Sequence, residues 1–313
     1  QEPFLAGLLF GIQYRSAGWG RGLTMLTCFM NMLPHLDRVD RPRALYHGLD
    51  AVSVDSAGKA PRFMLDPLPN TTADLPTLKR WFRQFIEVRD EEGAERCIVS
   101  AVRSGATSAE MADMPFAAIT DHRYIQTGHP ADFTNKALEA LDIVGWKHAE
   151  QVLSSLVAEI RWAERMEESN AWRHPIDLIP ILESALEELP VTIKTGAAVR
   201  AVTPQRPWND RVTLAQHLLS DDPQANIDAL LAALRNGATA EQVAGTVAYA
   251  AALRIAHFHT SNEFPDWDTV LHTFTFANAI HQAIRRVVGA ERDRATPEAT
   301  SEERALLLLR GVF

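Results

Sequence analysis

The stretch VSAVRSGATSA (99–109) decides the fold, because it returns as LAALRNGATAE at 231–241. The two copies share Ala-x-Arg-x-Gly-Ala-Thr at 101–107 and 233–239. Each part of the motif has a physical task. Gly closes one helix, since without a Cβ it takes the left-handed turn at no steric cost. Thr opens the next, its hydroxyl capping a backbone N–H. Glu110 and Gln242, three residues beyond Thr107 and Thr239, complete a capping box in each copy. The motif is therefore a helical hairpin, and the distance from Ala101 to Ala233 is far beyond the period of a solenoid.

A second signature follows each hairpin: GHPADFTN from Gly128 and LHTFTFAN from Leu271. His129 and His272 are each followed four residues on by Phe and six on by Asn, at Asn135 and Asn278. The expected architecture is all-α, a single multi-helix domain over 1–313 with an internal pseudo-two-fold duplication. Its repeat units span about 94–150 and 226–290, with a polar-lined pocket between them. A weaker third copy at 21–27 has Arg21 where the others have His.

Most of the remaining chain also reads as helix. The segment 77–88 places Leu78, Trp81, Phe82, Phe85 and Ile86 on one stripe, the helical period. Helices are expected at 23–33, ended by Pro34, at 94–102, at 147–166 and from Asn226 onward, with Gly48 as a helix terminator. Two irregular regions interrupt them. The first, 50–75, contains Asn70-Thr71-Thr72 and a short strand pair near 62–64; the second, 187–212, contains a short strand at 191–193. His174-Pro-Ile-Asp177 echoes His129-Pro-Ala-Asp132, and both read as helix starts. The charged run RDEEGAER (89–96) reads as a solvated face. The apolar run 305–309, after a charged tail, is expected to dock on the body or on a neighbour.

Composition removes several functions. The formal charge of −9, with a pI near 5.7, argues against a nucleic-acid partner, whose footprint is a basic face. Two cysteines, Cys28 and Cys97, allow no disulfide framework or CxxC metal pair and read as buried free thiols. Neither a signal peptide nor an apolar run of membrane-spanning length is legible, so a cytoplasmic location without membrane association is expected. Gln1 in place of Met is what a trimmed or partial chain would show. Glu-x-x-His pairs, His-Glu-x-x-His, Walker A, a dinucleotide Gly-x-Gly-x-x-Gly and Gly-x-Ser-x-Gly are all missing, which removes the enzyme classes built on them.

The chemistry that remains is histidine chemistry, concentrated in TDHRYIQTGHPADFTNKALEALDIVGW (120–146) and its counterpart around His272. Polar groups this varied amid apolar residues cost free energy unless each finds a partner, so they point to a lined cavity. Asp268 and His272, four apart, share a helix face. His129, His272 and Glu168 could assemble a two-His-one-carboxylate iron site, and a haem could use a single histidine. Without metal, a histidine such as His129 or His272 paired with Asn135 or Asn278 could act on a carbonyl compound, with Tyr124 as proton donor. His122 is a further candidate for holding a cofactor. The tryptophans Trp146, Trp162, Trp172 and Trp267 read as core.

The segments 23–27, 44–48, 120–124, 128–137 and 172–178 (LTMLT, ALYHG, TDHRY, GHPADFTNKA and WRHPIDL) together resemble a family of bacterial helical proteins. Some of its members continue into a Rieske-type [2Fe–2S] domain, for which the family is named. The helical part is also distantly similar to the questin-oxidase-like proteins, oxygenases of polyketide pathways. The Gly-Ala-Thr hairpin locally resembles that of the carboxymuconolactone decarboxylases, without their reactive cysteines. The resemblance implies an oxidoreductase that uses O2 on a small aromatic or polyketide-like substrate, with an iron cofactor, haem or non-haem. It also implies an electron-transfer partner such as a Rieske protein, because the Rieske Cys-x-His and Cys-x-x-His pairs are missing here. A non-catalytic helical docking module for a redox partner, and a metal-free histidine lyase or hydrolase, are the alternatives. The acidic surface and the apolar run at 305–309 are compatible with a homodimer.

Overall fold

Aspartate and threonine side chains set where the helices begin. Asp74, Asp90, Asp177 and Asp222 each accept a hydrogen bond from a backbone N–H two or three residues on, satisfying a donor that a helix start leaves unpaired. Thr239 and Gln242 form a complete capping box. Thr107 and Glu110 form the same pair of bonds, 3.3 Å to the Glu110 N–H and 2.8 Å from the Thr107 N–H. Gly105 and Gly237, which close the preceding helices, stand at φ +84° and +97°. Both hairpins thus fold as their residues dictate.

The computed structural model describes residues 1–15, 17–69, 72–293 and 305–313. It is all-helical, with no strand among the described residues. Contacts divide the chain into two compact units, Gln1–Ala118 with Asp132–Ala163, and Ile119–Ala131 with Glu164–Phe313. The first contains α1 (Glu2–Gln13), α2 (Arg21–Met32), α3 (Arg41–Ser56), α4 (Leu75–Glu87) and α5 (Glu91–Arg103). It also holds most of α6 (Ser108–Ile119) and α7 (His129–Val144), with α8 (Ala149–Ser154) and α9 (Val157–Trp162). The second contains α10 (Leu178–Val202), α11 (Arg211–His217), α12 (Pro223–Arg235), α13 (Ala240–Ala256) and α14 (Phe264–Asp293). None of the helices among the described residues is long and apolar enough to cross a membrane.

In the first unit α2 packs along α3, α1 lies against both, and α4 pairs with α5. Gly48 sits inside α3 and terminates nothing. A Cβ there would lie 2.8 Å from Leu26 Cδ1 and 2.9 Å from Leu26 Cα, so its role is the close approach of two helices. The stripe of α4 buries Leu78, Phe82 and Ile86 completely. The charged run 89–96 is more than a solvated face: Asp90 caps α5, while Glu95 turns inward and meets Arg62 at 2.7 Å. Glu95 also accepts the Leu65 N–H at 2.8 Å. This ion pair replaces the strand expected near 62–64, since Arg62 donates as well to the Ser154 carbonyl at 2.9 Å. Residues 70 and 71 of the expected loop lie outside the described residues.

In the second unit α13 packs on α14, α10 on α12 and α11 on α13. The strand expected at 191–193 is part of α10, which continues through Pro190 and buries Thr192 and Ile193. Burial against α12 overrides the β preference of these branched side chains. The continuous helix expected over 147–166 is broken into α8 and α9, followed by short 3-10 turns. At His174-Pro-Ile-Asp177 the helix begins later than expected, with Asp177 as its cap rather than in its first turn. The apolar run 305–309 docks within this unit: Ala305, Leu308 and Leu309 are fully buried, and Thr120 donates to the Leu307 carbonyl at 2.8 Å. Most of the charged tail before it, residues 294–304, lies outside the described residues.

These contacts predict two different magnitudes in urea denaturation. Glu95→Ala strands Arg62 in the interior and will cost about 3–5 kcal/mol, whereas Thr239→Ala, which removes one cap, will cost about 1 kcal/mol.

Candidate functional site

The backbone between Ile119 and His129 makes the site. Tyr124, Gln126 and Thr127 stand at φ +40°, +47° and +50°, and Gly128 at +87°. For residues with a Cβ, each such conformation costs about 1–2 kcal/mol and persists only where the surroundings impose it. The surroundings are explicit. Gln126 N–H donates to the Glu164 carbonyl at 2.8 Å, and Glu164 N–H donates to Gln126 Oε1 at 2.7 Å. The Tyr124 ring meets Phe276 of α14 edge to face at 5.3 Å.

This bend turns His122 and Tyr124 into a cavity of about 290 Å³ within the second unit. Its walls are largely apolar, from Trp172, Leu182, Leu186, Val247 and Phe276 among others. His122 is buried, and its Nδ1 lies 2.7 Å from Glu167 Oε1. Glu167 Oε2 accepts the Arg123 N–H at 3.0 Å. Burial pulls the Glu167 carboxyl up, but hydrogen bonds from His122, from the Arg123 N–H and from its own N–H outweigh burial and hold its pKa below the usual value. An ionised Glu167 makes Nδ1 the protonated nitrogen of His122 and Nε2 the basic one. Tyr124 Oη is buried without a hydrogen-bond partner. The neighbouring Thr273 hydroxyl does not meet it at hydrogen-bond geometry and donates instead to the Thr269 carbonyl at 2.9 Å. Burial, with the Asp268 charge, pushes the Tyr124 phenol up against the pull of Thr273, so it stays protonated at neutral pH.

His129 and His272, paired in the sequence by their shared spacing, do meet. Their rings are 4.4 Å apart, edge to face at 78°, and His272 Nε2 lies 3.5 Å from Asp268 Oδ1, as the four-residue spacing expects. Neither lines the cavity of His122 and Tyr124. Asn135 and Asn278 do not join them: Asn135 donates to Glu139 at 2.8 Å in the first unit, and Asn278 accepts from Gln282 at 3.3 Å. Glu168 faces Arg165 at 3.5 Å. Among the described residues no group of three or more His, Cys, Asp or Glu is placed to hold a metal ion. His129, His272 and Glu168 do not come together as such a group.

Sequence reasoning chose Glu168 and missed its neighbour. Both lie on the 3-10 turn Met166–Glu168, where successive side chains diverge by about 120°, so adjacent carboxylates serve different partners. Phe276, Arg310 and Trp172 were also missed as lining residues; Phe276 was visible as the repeated Phe of the second signature. No protein-family model matches the chain, and neither a curated protein nor a solved structure matches it.

Two measurements check this geometry. A Cβ on Gly128 would lie 2.9 Å from Phe276 Cβ at a φ that disfavours L side chains. Gly128→Ala will therefore lower stability by about 1–2 kcal/mol, read as the shift of the urea midpoint. The second concerns pH. Burial, then the His272 charge, hold His129 below the ordinary imidazole value of 6.5, against Asp268 and the Gln126 backbone. The unfolded chain then takes up the proton first, so the stability is intact above pH 6.5 and is lost as pH falls from there towards the depressed value. Thermal melts between about pH 7.5 and about pH 5 will show a falling Tm, and His129→Gln will flatten the slope. Part of it will persist, because His281 is depressed in the same direction by burial and Arg285.

Proposed function

We propose that this chain is an enzyme of general acid–base chemistry, acting on a small, largely apolar carbonyl compound with an acidic C–H. The observation that carries the reading is the 2.7 Å contact of buried His122 with Glu167, on the wall of an apolar cavity that Tyr124, whose buried phenol has no hydrogen-bond partner, also lines. His122 Nε2 takes the proton. Glu167 holds the ring in the productive tautomer and stabilises the imidazolium once formed. Tyr124 donates to the carbonyl oxygen, where negative charge collects as the enolate develops. The apolar walls strengthen both interactions by excluding water.

An enolate is electron-rich, and this connects the acid–base reading with the oxygenase implied by the family resemblance. Dioxygen accepts the electron pair at the enolate carbon, a C–O bond forms, and the proton held by His122 returns to the terminal oxygen. The product is a hydroperoxide, with every atom of substrate and O2 accounted for. No metal enters this sequence.

The test is exchange of the α-hydrogen for deuterium, followed by proton NMR in D2O with 2-tetralone and simple 1,3-diketones as probes and with O2 uptake measured in parallel. The wild-type chain is expected to accelerate exchange, and His122→Gln and Glu167→Gln to lose about 10²-fold or more of it, both still giving a cooperative thermal unfolding transition. Exchange at equal rates in all three proteins, or exchange that appears only after Fe(II) is added, overturns the reading.

A further inference from the structure

The cavity of His122 adjoins a second and larger one in the same unit, of about 430 Å³. The two share six lining residues, among them Trp172, Val247, Thr273 and Phe313, so they adjoin along those residues. The larger chamber is lined mainly by leucine, isoleucine, alanine and valine side chains, many of them from α10, α12 and α13, and the one charged side chain on it is that of Arg254. His122 and Tyr124 line only the smaller chamber, and Arg254 only the larger.

The charge of these walls runs against that of the chain. The sequence has 40 Asp and Glu against 31 Lys and Arg, yet among the described residues no Asp or Glu lines either chamber, while Arg123, Arg254 and Arg310 do. Two of the three are already engaged at Asp121: Arg310 with its carboxylate at 3.1 Å and Arg123 with its carbonyl at 3.4 Å. Arg254 donates to the Leu219 carbonyl at 3.3 Å and forms no ion pair with a carboxylate among the described residues. A guanidinium at the far side of an apolar chamber recognises an anion at the end of an apolar body.

We infer that the two chambers form one binding site for an anionic amphipathic molecule. Its acid group lies at Arg254, its apolar body fills the larger chamber, and its other end lies beside His122 and Tyr124. This names the class of substrate for the acid–base reading and rests on that reading for what happens at the His122 end. The binding itself does not depend on turnover.

The experiment is isothermal titration of the full chain with decanoate and with 1-decanol, which share a body and differ in charge. Decanoate is expected to bind about fivefold more tightly, the worth of a partly exposed charge-assisted contact. Arg254→Gln will erase the difference and Arg254→Glu will invert it; Arg254 is exposed, so neither change disturbs the packing. Ala251→Trp, which fills the larger chamber, will abolish binding of both. Equal affinity for acid and alcohol in the wild type, or binding undiminished in a folded Ala251→Trp protein, overturns the inference. Because no turnover is read, loss of decanoate binding leaves the exchange chemistry of His122 standing, and loss of exchange leaves the binding site standing.

Discussion

The backbone from Tyr124 to Gly128 is the constraint on which the candidate site depends. Three residues with a Cβ are held there at positive φ, a conformation the isolated segment would abandon. The reciprocal hydrogen bonds of Gln126 and Glu164, the Tyr124 ring against Phe276 and the absence of a Cβ at Gly128 hold it in place. The strain fixes direction. On its N-terminal side His122 and Tyr124 are turned to the cavity; on its C-terminal side His129 is turned to His272.

The two histidine pairs built on this bend differ in the company they keep. His122 has a carboxylate at 2.7 Å whose pKa is held below the usual value, against burial, by hydrogen bonds from His122 and from two backbone N–H groups. That is the arrangement by which a neutral imidazole is fixed in one tautomer and its cation stabilised. His129 has another imidazole at 4.4 Å, and burial with that neighbour disfavours its protonation. The first pair suits proton transfer. The second ties α14 to the bend.

Two clusters of polar groups in the first unit are partnered among themselves. Arg62 and Glu95 satisfy one another and the extended backbone of Leu65. Glu139 gathers Asn31, Asn135 and Lys136. Burial costs of this size are met by dense hydrogen bonding and imply no reaction. The buried phenol of Tyr124 has no hydrogen-bond partner, and neither do Thr134 Oγ1 and His148 Nε2 of the first unit; what sets Tyr124 apart is the cavity it lines beside His122.

Local chemistry determined what the sequence alone could show. The all-helical fold, the Gly-Ala-Thr hairpins with their capping boxes and the stripe of α4 all follow from residues a few positions apart. The pairing of His129 with His272 was also legible, because a repeated spacing marks equivalent positions. Tertiary structure decided the rest. Whether Glu167 or Glu168 faces His122 depends on the angle of one 3-10 turn. Glu95 turns inward because Arg62 arrives from a distant segment, and the β-branched Thr192 and Ile193 are helical because they are buried in α10, which packs on α12, while Val191 stays exposed. Each of these depends on contacts between residues remote in the chain, whose free energies outweigh local preferences of a few tenths of a kcal/mol per residue.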